Sequence, residues 1–256
     1  MSKIKNALLN KKGYIGFITA GDPSLERTEE FVLEMERAGA ALVEIGVPFS
    51  DPIAEGASVQ NANVRALAAG CTTDKVFDMV KSLRQKSQIP LMFCAYLNTL
   101  YKYGYDKFCA ACQEAGVDGV IIPDMPYEER GEIAPIAEEY GIDIISLVAP
   151  STRERIQMIA KEAKGLIYMI SSEANAGDEE VISDTAAIVD AIREVTDVPV
   201  AVEAGINTKE QVAKYSAVAD GAIAGSGIIK LIGKHGEEAG PKVYEYVSDM
   251  VNALAK

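Results

Sequence analysis

The amino-acid sequence predicts a single α/β domain, a (β/α)8 TIM barrel with a short N-terminal helix. The chain has 256 residues, close to the roughly 250 that this fold typically needs. Short apolar runs rich in β-branched residues alternate with amphipathic stretches from one end to the other. No linker-like segment interrupts the alternation, so we expect one barrel domain over residues 1–256.

The apolar runs are the candidate strands. Their near-continuous hydrophobic character is typical of parallel strands covered by helices. The basic segment before the first run, MSKIKNALLNKK, predicts the short amphipathic N-terminal helix. In chain order the eight runs span residues 14–20, 41–47, 90–96, 119–124, 143–149, 166–172, 198–204 and 221–226.

The stretches between the runs predict the helices. Several end in a glycine that suits the left-handed conformation at a helix C-terminus. The junction helix, glycine, strand recurs in ERAGAALVEI, EAGVDGVII and EEYGIDIISL. Such repeated units favour a closed barrel over an open, doubly wound sheet.

Charge and composition narrow the possible partners. The formal net charge of −13 opposes nonspecific binding to nucleic acid or to an anionic membrane surface. The apolar part of the N-terminus is too short for a signal peptide or a membrane span. We therefore expect a cytoplasmic protein with a small-molecule substrate and with no nucleic-acid or membrane partner.

The cysteines and the single histidine offer little reactive chemistry. Cys109 and Cys112 have CxxC spacing, but they lie in a helical pattern without a second pair, so we expect ordinary reduced thiols. His235, in GKHGEE, is expected in an exposed loop. We predict no metal and no cofactor, and chemistry that depends on carboxylates, tyrosines and backbone dipoles.

A carboxylate interrupts the second apolar run. In TIM barrels the active site lies at the C-terminal ends of the strands, and a buried charge there must be paired, hydrogen-bonded or neutralised. Strand alternation places Leu42, Glu44 and Gly46 on one face, where the small Gly46 is expected to leave room for a ligand. The alternative is a purely structural carboxylate.

The loop after this run adds two acids, Asp51 and Glu55. Two carboxylates in different environments can divide acid and base roles, because desolvation raises one pKa while hydrogen bonds lower the other. The alternative for this loop is an exposed acidic segment.

A glycine and serine turn opens the last helix. Residues 224–232 read AGSGIIKLI, and the N–H groups of Gly225 and Ser226 at such a helix start favour an anion. Phosphate often binds after strands seven and eight of a barrel, although a plain helix cap would look the same. Glu203 ends the seventh run beside this turn, an unexpected place for a carboxylate.

These motifs resemble the tryptophan synthase alpha chain family along almost the whole chain. The VEIGVPFSDP stretch is highly specific to that family. The resemblance implies a barrel enzyme that cleaves indole-3-glycerol phosphate into indole and glyceraldehyde 3-phosphate, usually bound to a tryptophan synthase beta-like chain that receives the indole. The matching segments are Gly16–Pro23, Val43–Pro52, Ala115–Gly119, Pro123–Asp124 and Gly225–Ser226.

The resemblance also implies roles for individual residues. Glu44 matches the general acid/base, and Glu55 stands where the family has an acid, commonly aspartate, that hydrogen-bonds the indole N–H. Retro-aldol cleavage needs a proton delivered to indole C3 and one removed from the adjacent hydroxyl, which positioned carboxylates can do. Pocket positions are matched by Phe17, Tyr96 and Tyr168, and the phosphate cradle by Gly205, Gly225 and Ser226.

The sequence departs from the family at the barrel mouth. Residues 171–178 read SSEANAGD and lack the usual threonine, residues 203–206 read EAGI instead of GFGI, and Ala57 replaces a proline. A unit charge about 4 Å from a phosphate charge costs roughly 4 kcal/mol at an effective dielectric constant near 20. Glu203 is therefore hard to reconcile with a phosphate neighbour.

Three functional hypotheses remain at this stage. The first is a lyase of this family that acts through Glu44 and Glu55. The second is a remodelled barrel enzyme in which Glu203, desolvated by Val202, Ala204 and its surroundings, is a general base toward a neutral, non-phosphorylated substrate. The third is a catalytically weak scaffold that binds a beta-like partner.

Overall fold

The computed structural model describes residues 2–150, 155–171 and 176–255. Within these ranges nine parallel strands form one sheet in the order β5-β4-β3-β2-β1-β9-β8-β7-β6. The strands are β1 (Gly13–Thr19), β2 (Leu42–Gly46), β3 (Leu91–Cys94), β4 (Gly119–Ile121), β5 (Asp143–Ile144), β6 (Ser146–Val148), β7 (Ile167–Ile170), β8 (Val200–Glu203) and β9 (Gly221–Ala224).

The fifth predicted strand is divided into β5 and β6, and this division closes the barrel. β5 pairs with β4, whereas β6 pairs with β7, so one short run joins the two ends of the sheet. Ile145 lies between them, and its N–H donates to the carbonyl of Val120 at 2.9 Å. The predicted (β/α)8 barrel is confirmed, with β5 and β6 together acting as its fifth strand.

Helices cover the outer face of the sheet. The predicted helix after β4 is divided into a 3-10 helix (Tyr127–Glu132) and α7, because Pro135 suits a first helical turn but not a helix interior. No helix in the described ranges is long and apolar enough to cross a membrane. The α-helices are α1 (Lys3–Leu8), α2 (Leu25–Arg37), α3 (Ala57–Ala68), α4 (Thr73–Leu83), α5 (Leu97–Tyr103), α6 (Tyr105–Ala115), α7 (Ala134–Glu139), α8 (Ile156–Lys161), α9 (Glu179–Arg193), α10 (Lys209–Val218), α11 (Ser226–His235) and α12 (Gly240–Val251).

The N-terminal helix α1 closes one end of the barrel. Its Ile4 and Leu8 are buried among the inward-facing side chains of the strands. A Cβ atom on Gly13 would lie 2.2 Å from Leu8 Cδ2, and one on Gly119 would lie 2.6 Å from Ile4 Cδ1. Glycine at these strand starts therefore lets the helix dock, and the cavity described below lies at the opposite end.

Two smaller expectations have different outcomes. Cys109 and Cys112 are free, buried thiols on α6, packed in the layer between sheet and helices, as predicted. His235 was expected in a loop, but it is the last residue of α11. The helical pattern of AGSGIIKLIGKH continues to the glycine that follows, which is where the helix ends.

Arg84 joins three elements at the N-terminal end of the sheet. At the end of α4, its guanidinium donates to the carbonyls of Gly116 (2.8 Å) and Ile89 (2.6 Å) and to Asp118 (3.0 Å). Asp118 also accepts the N–H of Leu91 at 2.9 Å. This largely buried network fixes where β3 starts relative to α4 and α6.

Arg84→Ala is expected to lower the free energy of unfolding by about 2 to 4 kcal/mol, because it removes the charged hydrogen bond to the largely buried carboxylate of Asp118. Urea unfolding followed by circular dichroism measures the change. Lys81→Ala, also on α4, is the control: it removes an exposed ion pair with Glu114 of α6 and should leave the free energy of unfolding nearly unchanged. Equal effects of the two substitutions would contradict this role for Arg84.

Candidate active site

A cavity of about 410 Å³ opens at the C-terminal ends of the strands. Its volume suits a small-molecule ligand. The walls combine apolar side chains with a few polar groups, which is typical of such sites. Its lining includes Phe17, Glu44, Glu55, Val59, Cys94, Ile121, Leu147, Tyr168, Ile170, Glu203, Gly205, Asn207, Ile223, Gly225, Ser226 and Lys230.

Glu44 lies at the floor of this cavity. Its side chain points into the barrel because it alternates along β2 with Val43 and Ile45, which face the helices. Burial raises the pKa of Glu44 to about 8, with further increases from the charges of Glu203 and Glu55. Its Oε2 atom has no hydrogen-bond partner among the described residues. At neutral pH this carboxyl group therefore holds a proton that it can donate to a ligand.

Glu55 lies on the loop between β2 and α3, at the side of the cavity. Its Oε2 accepts a hydrogen bond from Asn63 Nδ2 at 3.0 Å. Burial raises the pKa of Glu55 to about 7, while hydrogen bonds from Asn63 and Tyr96 lower it. Asp51 of the same loop is exposed and hydrogen-bonds Ser50 instead. Of the two loop acids, only Glu55 can therefore meet a ligand in the cavity as a hydrogen-bond acceptor.

Phe17 forms one wall of the cavity, and its position corrects a sequence-based expectation. A Cβ atom on Gly46 would lie 2.9 Å from Phe17 Cζ, and one on Gly225 would lie 2.7 Å from Phe17 Cδ1. The space beside Gly46, which we expected a ligand to use, is therefore filled by the Phe17 ring. The expectation was wrong because side chains lean along their strand, so Phe17 of β1 reaches Gly46 of the paired strand β2.

The two tyrosines have different surroundings. Tyr168 points inward from β7, and a hydrogen bond from it lowers the pKa of Glu44. Tyr96 accepts a hydrogen bond from the N–H of Ala54 at 3.1 Å, and its ring stacks on Phe49 with centroids 5.2 Å apart. Tyr96 thus supports the loop that carries Glu55 from behind.

The other side of the cavity offers backbone donors. Gly225 precedes α11, whose first-turn N–H groups have no side-chain cap, and such a helix start favours an anion. Asn207 links this helix to the loop after β8: its Nδ2 donates to the carbonyl of Gly205 at 2.5 Å, and its Oδ1 accepts from Ser226 Oγ at 2.7 Å. Gly205, Gly225 and Ser226 therefore lie close together on this side of the cavity, where the resemblance implies the phosphate-binding residues.

Glu203 shares this region. Its Oε1 accepts a hydrogen bond from the N–H of Gly205 at 3.0 Å. The expectation that Val202 and Ala204 desolvate Glu203 is wrong, because both pack in the layer between sheet and helices while Glu203 follows Ala201 on the inner face. Glu203 is only partly buried. Within the altered segment 171–178, residues 172–175, which include Ser172 and Glu173, lie outside the described residues.

Four polar residues near the cavity were not singled out from the sequence. Lys230 lies four residues after Ser226, so both project from one face of α11, and this spacing could have revealed it. Cys94 of β3 donates a hydrogen bond that lowers the pKa of Glu44, a contact that its sequence position does not indicate. Asn63 and Asn207 hydrogen-bond groups on loops, and no local sequence pattern indicates those partners.

A closed parallel barrel with two acids of raised pKa facing an anion-favouring helix start defines a (β/α)8-barrel enzyme of the acid–base type. The family model described as "Tryptophan synthase alpha chain" matches residues 3–255. The chain belongs to the tryptophan synthase alpha chain family.

Individual relatives show the same extent of similarity. The tryptophan synthase alpha chain of Lacticaseibacillus casei is 43% identical over 251 residues, covering 98% of this chain and 94% of that one. The solved tryptophan synthase subunit alpha from Legionella pneumophila str. Paris is similar with a TM-score of 0.90 and 32% identity, covering 99% and 98% of the two chains. A chain of the tryptophan synthase complex from Pyrococcus furiosus gives a TM-score of 0.86 at 31% identity, covering 94% and 98%.

The raised pKa of Glu44 predicts a pH-dependent stability. In the folded state its pKa is about 8, whereas an unfolded glutamate has a pKa of about 4.3. The folded protein therefore holds an extra proton between these values, and its stability falls as pH rises through that window. In Glu44→Gln this loss of stability is absent. Between about pH 5 and pH 9, the free energy of unfolding of the variant should therefore rise by on the order of a few kcal/mol relative to wild type.

Urea unfolding at several pH values measures this difference. The exposed Glu210, whose pKa is lowered by a backbone hydrogen bond, provides the control Glu210→Gln, which should not reproduce the trend. If the free energy of unfolding changed with pH in the same way for wild type and Glu44→Gln, the prediction of a raised pKa for Glu44 would be wrong.

Proposed function

We propose that this enzyme cleaves indole-3-glycerol phosphate into indole and glyceraldehyde 3-phosphate, and that a tryptophan synthase beta-like chain receives the indole. The observation that carries the proposal is the placement of buried Glu44 and half-buried Glu55 in one cavity that also contains an anion-favouring helix start. The similar chain from Pyrococcus furiosus comes from a tryptophan synthase complex, which supports a beta-chain partner. We further propose a cytoplasmic location and a reaction without a cofactor.

Glu44 and Glu55 divide the proton chemistry. Glu44, protonated at neutral pH, gives its proton to indole C3, and the bond from C3 to the neighbouring side-chain carbon then breaks. The hydroxyl on that carbon loses its proton to the Glu44 carboxylate and becomes the aldehyde, so the proton count is restored. Glu55 accepts a hydrogen bond from the indole N–H, where positive charge develops once C3 is protonated.

The phosphate end of the substrate meets a crowded cradle. Gly205, Gly225 and Ser226 supply donors, but the N–H of Gly205 already binds the Glu203 carboxylate. A bound phosphate must displace Glu203 from Gly205 or bind beside it, which costs roughly 4 kcal/mol per unit charge at about 4 Å. Lys230, which also lines the cavity, supplies an opposite charge that offsets this repulsion.

The alternatives have weaker support. The remodelled enzyme required a desolvated Glu203, yet that side chain is only partly buried and accepts a backbone hydrogen bond. The hypothesis of a catalytically weak scaffold does not explain why two carboxyl groups of raised pKa lie in one cavity. Both observations favour the lyase.

Release of indole from indole-3-glycerol phosphate, with and without a beta chain from a relative, tests the function. Wild type should turn over, and Glu44→Gln should lower kcat by about 10²- to 10⁴-fold, since proton transfer by a positioned side chain contributes that much. Glu210→Gln on the outer helix α10 is the matched control and should keep the wild-type rate. No turnover by wild type in either condition would exclude this reaction.

Opposite effects on phosphate binding are expected from the two charged residues beside the cradle. Glu203→Gly should tighten inhibition by glycerol 3-phosphate about tenfold or more, and Lys230→Gln should weaken it by a similar factor, because each removes one charge of opposite sign. The neutral ligand 3-indolepropanol, which lacks the phosphate, is the control and should bind all three proteins equally. Unchanged inhibition in both variants would remove Glu203 and Lys230 from the phosphate site.

A further inference from the structure

Asn63 of α3 connects both ends of the loop that carries Glu55. Its Oδ1 accepts the N–H of Phe49, near the start of the loop, at 2.9 Å. Its Nδ2 donates to Glu55 Oε2 at 3.0 Å and to the carbonyl of Val59 at 3.0 Å. The side chain is almost completely buried, with 5% exposure. All three contacts use the amide group, so no other part of the side chain is needed to make them.

Only an amide of this length meets all these requirements. The group at this point must accept from a backbone N–H and donate to a carboxylate and a carbonyl, which a carboxylate or a hydroxyl cannot do together. The loop has two further side-chain supports. Tyr96 accepts the N–H of Ala54 and also hydrogen-bonds the Glu55 carboxyl group, and Gln60 Nε2 donates to the carbonyl of Glu55 at 2.8 Å. Asn63 therefore shares the Glu55 carboxyl group with Tyr96, but the hydrogen bonds of Asn63 also reach the start of the loop at Phe49.

The helix that carries Asn63 is fixed to the barrel independently of the loop. Two residues further along α3, Arg65 donates through Nε and Nη2 to the two carboxylate oxygens of Asp22, each at 2.8 Å. Asp22 is buried at the C-terminal side of β1. A two-bond pair of this kind fixes orientation as well as distance, so Asn63 has a rigid support.

We propose that Asn63 is a positioning residue that holds the Glu55 carboxylate over the cavity and ties it to the start of its loop. This inference rests on the proposed reaction, because Glu55 is the acceptor for the indole N–H in that reaction. Asn63 lies on a helix and is not one of the catalytic pair. It nevertheless controls the position of the Glu55 carboxylate and the pH at which this group ionises.

The electrostatic surroundings make Glu55 sensitive to this contact. Glu44 of β2 and Cys94 of β3 face it, together with the hydroxyl groups of Tyr96 and Tyr168. None of these groups is a cation. Burial raises the pKa of Glu55. Of the interactions that lower this pKa, the hydrogen bond from Asn63 has the largest effect. Loss of this donor is therefore expected to raise the pKa.

The test replaces the amide in two ways. Asn63→Asp keeps the acceptor for Phe49 but puts a like charge beside Glu55, so the pKa of Glu55 should rise by about one unit or more. Asn63→Leu removes the donor without adding charge and should give a smaller rise. NMR titration of proteins with carbon-13-labelled glutamate side chains, assigned with Glu55→Gln, measures the pKa directly. The acid limb of kcat/KM should move to higher pH by the same amount, because activity needs ionised Glu55.

Asn61→Asp is the matched control, since Asn61 lies on the exposed side of the same helix and undergoes the same chemical change. It should leave both the titration and the pH profile as in wild type. Folding of each variant is checked by its unfolding midpoint, and Asn63→Leu serves if Asn63→Asp does not fold. An unchanged pKa of Glu55 in folded Asn63 variants would overturn the proposal even if wild type is active. Inactive wild type with shifted titrations would instead reject the reaction and retain the positioning role.

Discussion

The burial of one carboxyl group, that of Glu44, is the constraint on which the site depends. A carboxylate inside an apolar barrel is unfavourable, and the protein responds by keeping the group protonated through a pKa of about 8. Hydrogen bonds from Cys94 and Tyr168 moderate this rise, so the group stays within reach of neutral pH as an acid and as a base. Burial is unfavourable for a charged carboxylate, but here it raises the pKa of Glu44 and so makes the group a proton donor near neutral pH.

The barrel separates the part that provides stability from the part that binds ligand. At the N-terminal end, α1 packs Ile4 and Leu8 against the inward-facing side chains of the strands, and the network around Arg84 fixes α4, α6 and β3. At the opposite end, loops and one helix start bring polar groups to the cavity. Because the two sets of contacts share few residues, the mouth can differ from that of relatives while the framework remains close to theirs.

The strands, the class of fold and the main acids could be predicted because each depends on local pattern. Glu44 interrupts an apolar run, and AGSG opens a helical one, so both carry a signal in the sequence itself. The divided fifth strand and the Phe17 ring over Gly46 could not be predicted, because they follow from the closure and register of strands distant in sequence. Asn63 was not predicted for the same reason, because the position of its partner Glu55 depends on the conformation of a loop.

The charges of the cavity are less opposed to a phosphate than three glutamates suggest. With pKa values of about 8 and about 7, Glu44 is mostly neutral and Glu55 only partly ionised near neutral pH. The remaining negative charge of Glu203 lies in a cavity that Lys230 also lines. Binding and protonation are moreover linked: a phosphate in this cavity raises the pKa of a nearby carboxyl group, and a protonated carboxyl group repels phosphate less. In the proposed reaction, a substrate phosphate bound at Gly225 and Ser226 would therefore help to keep Glu44 protonated before it donates its proton.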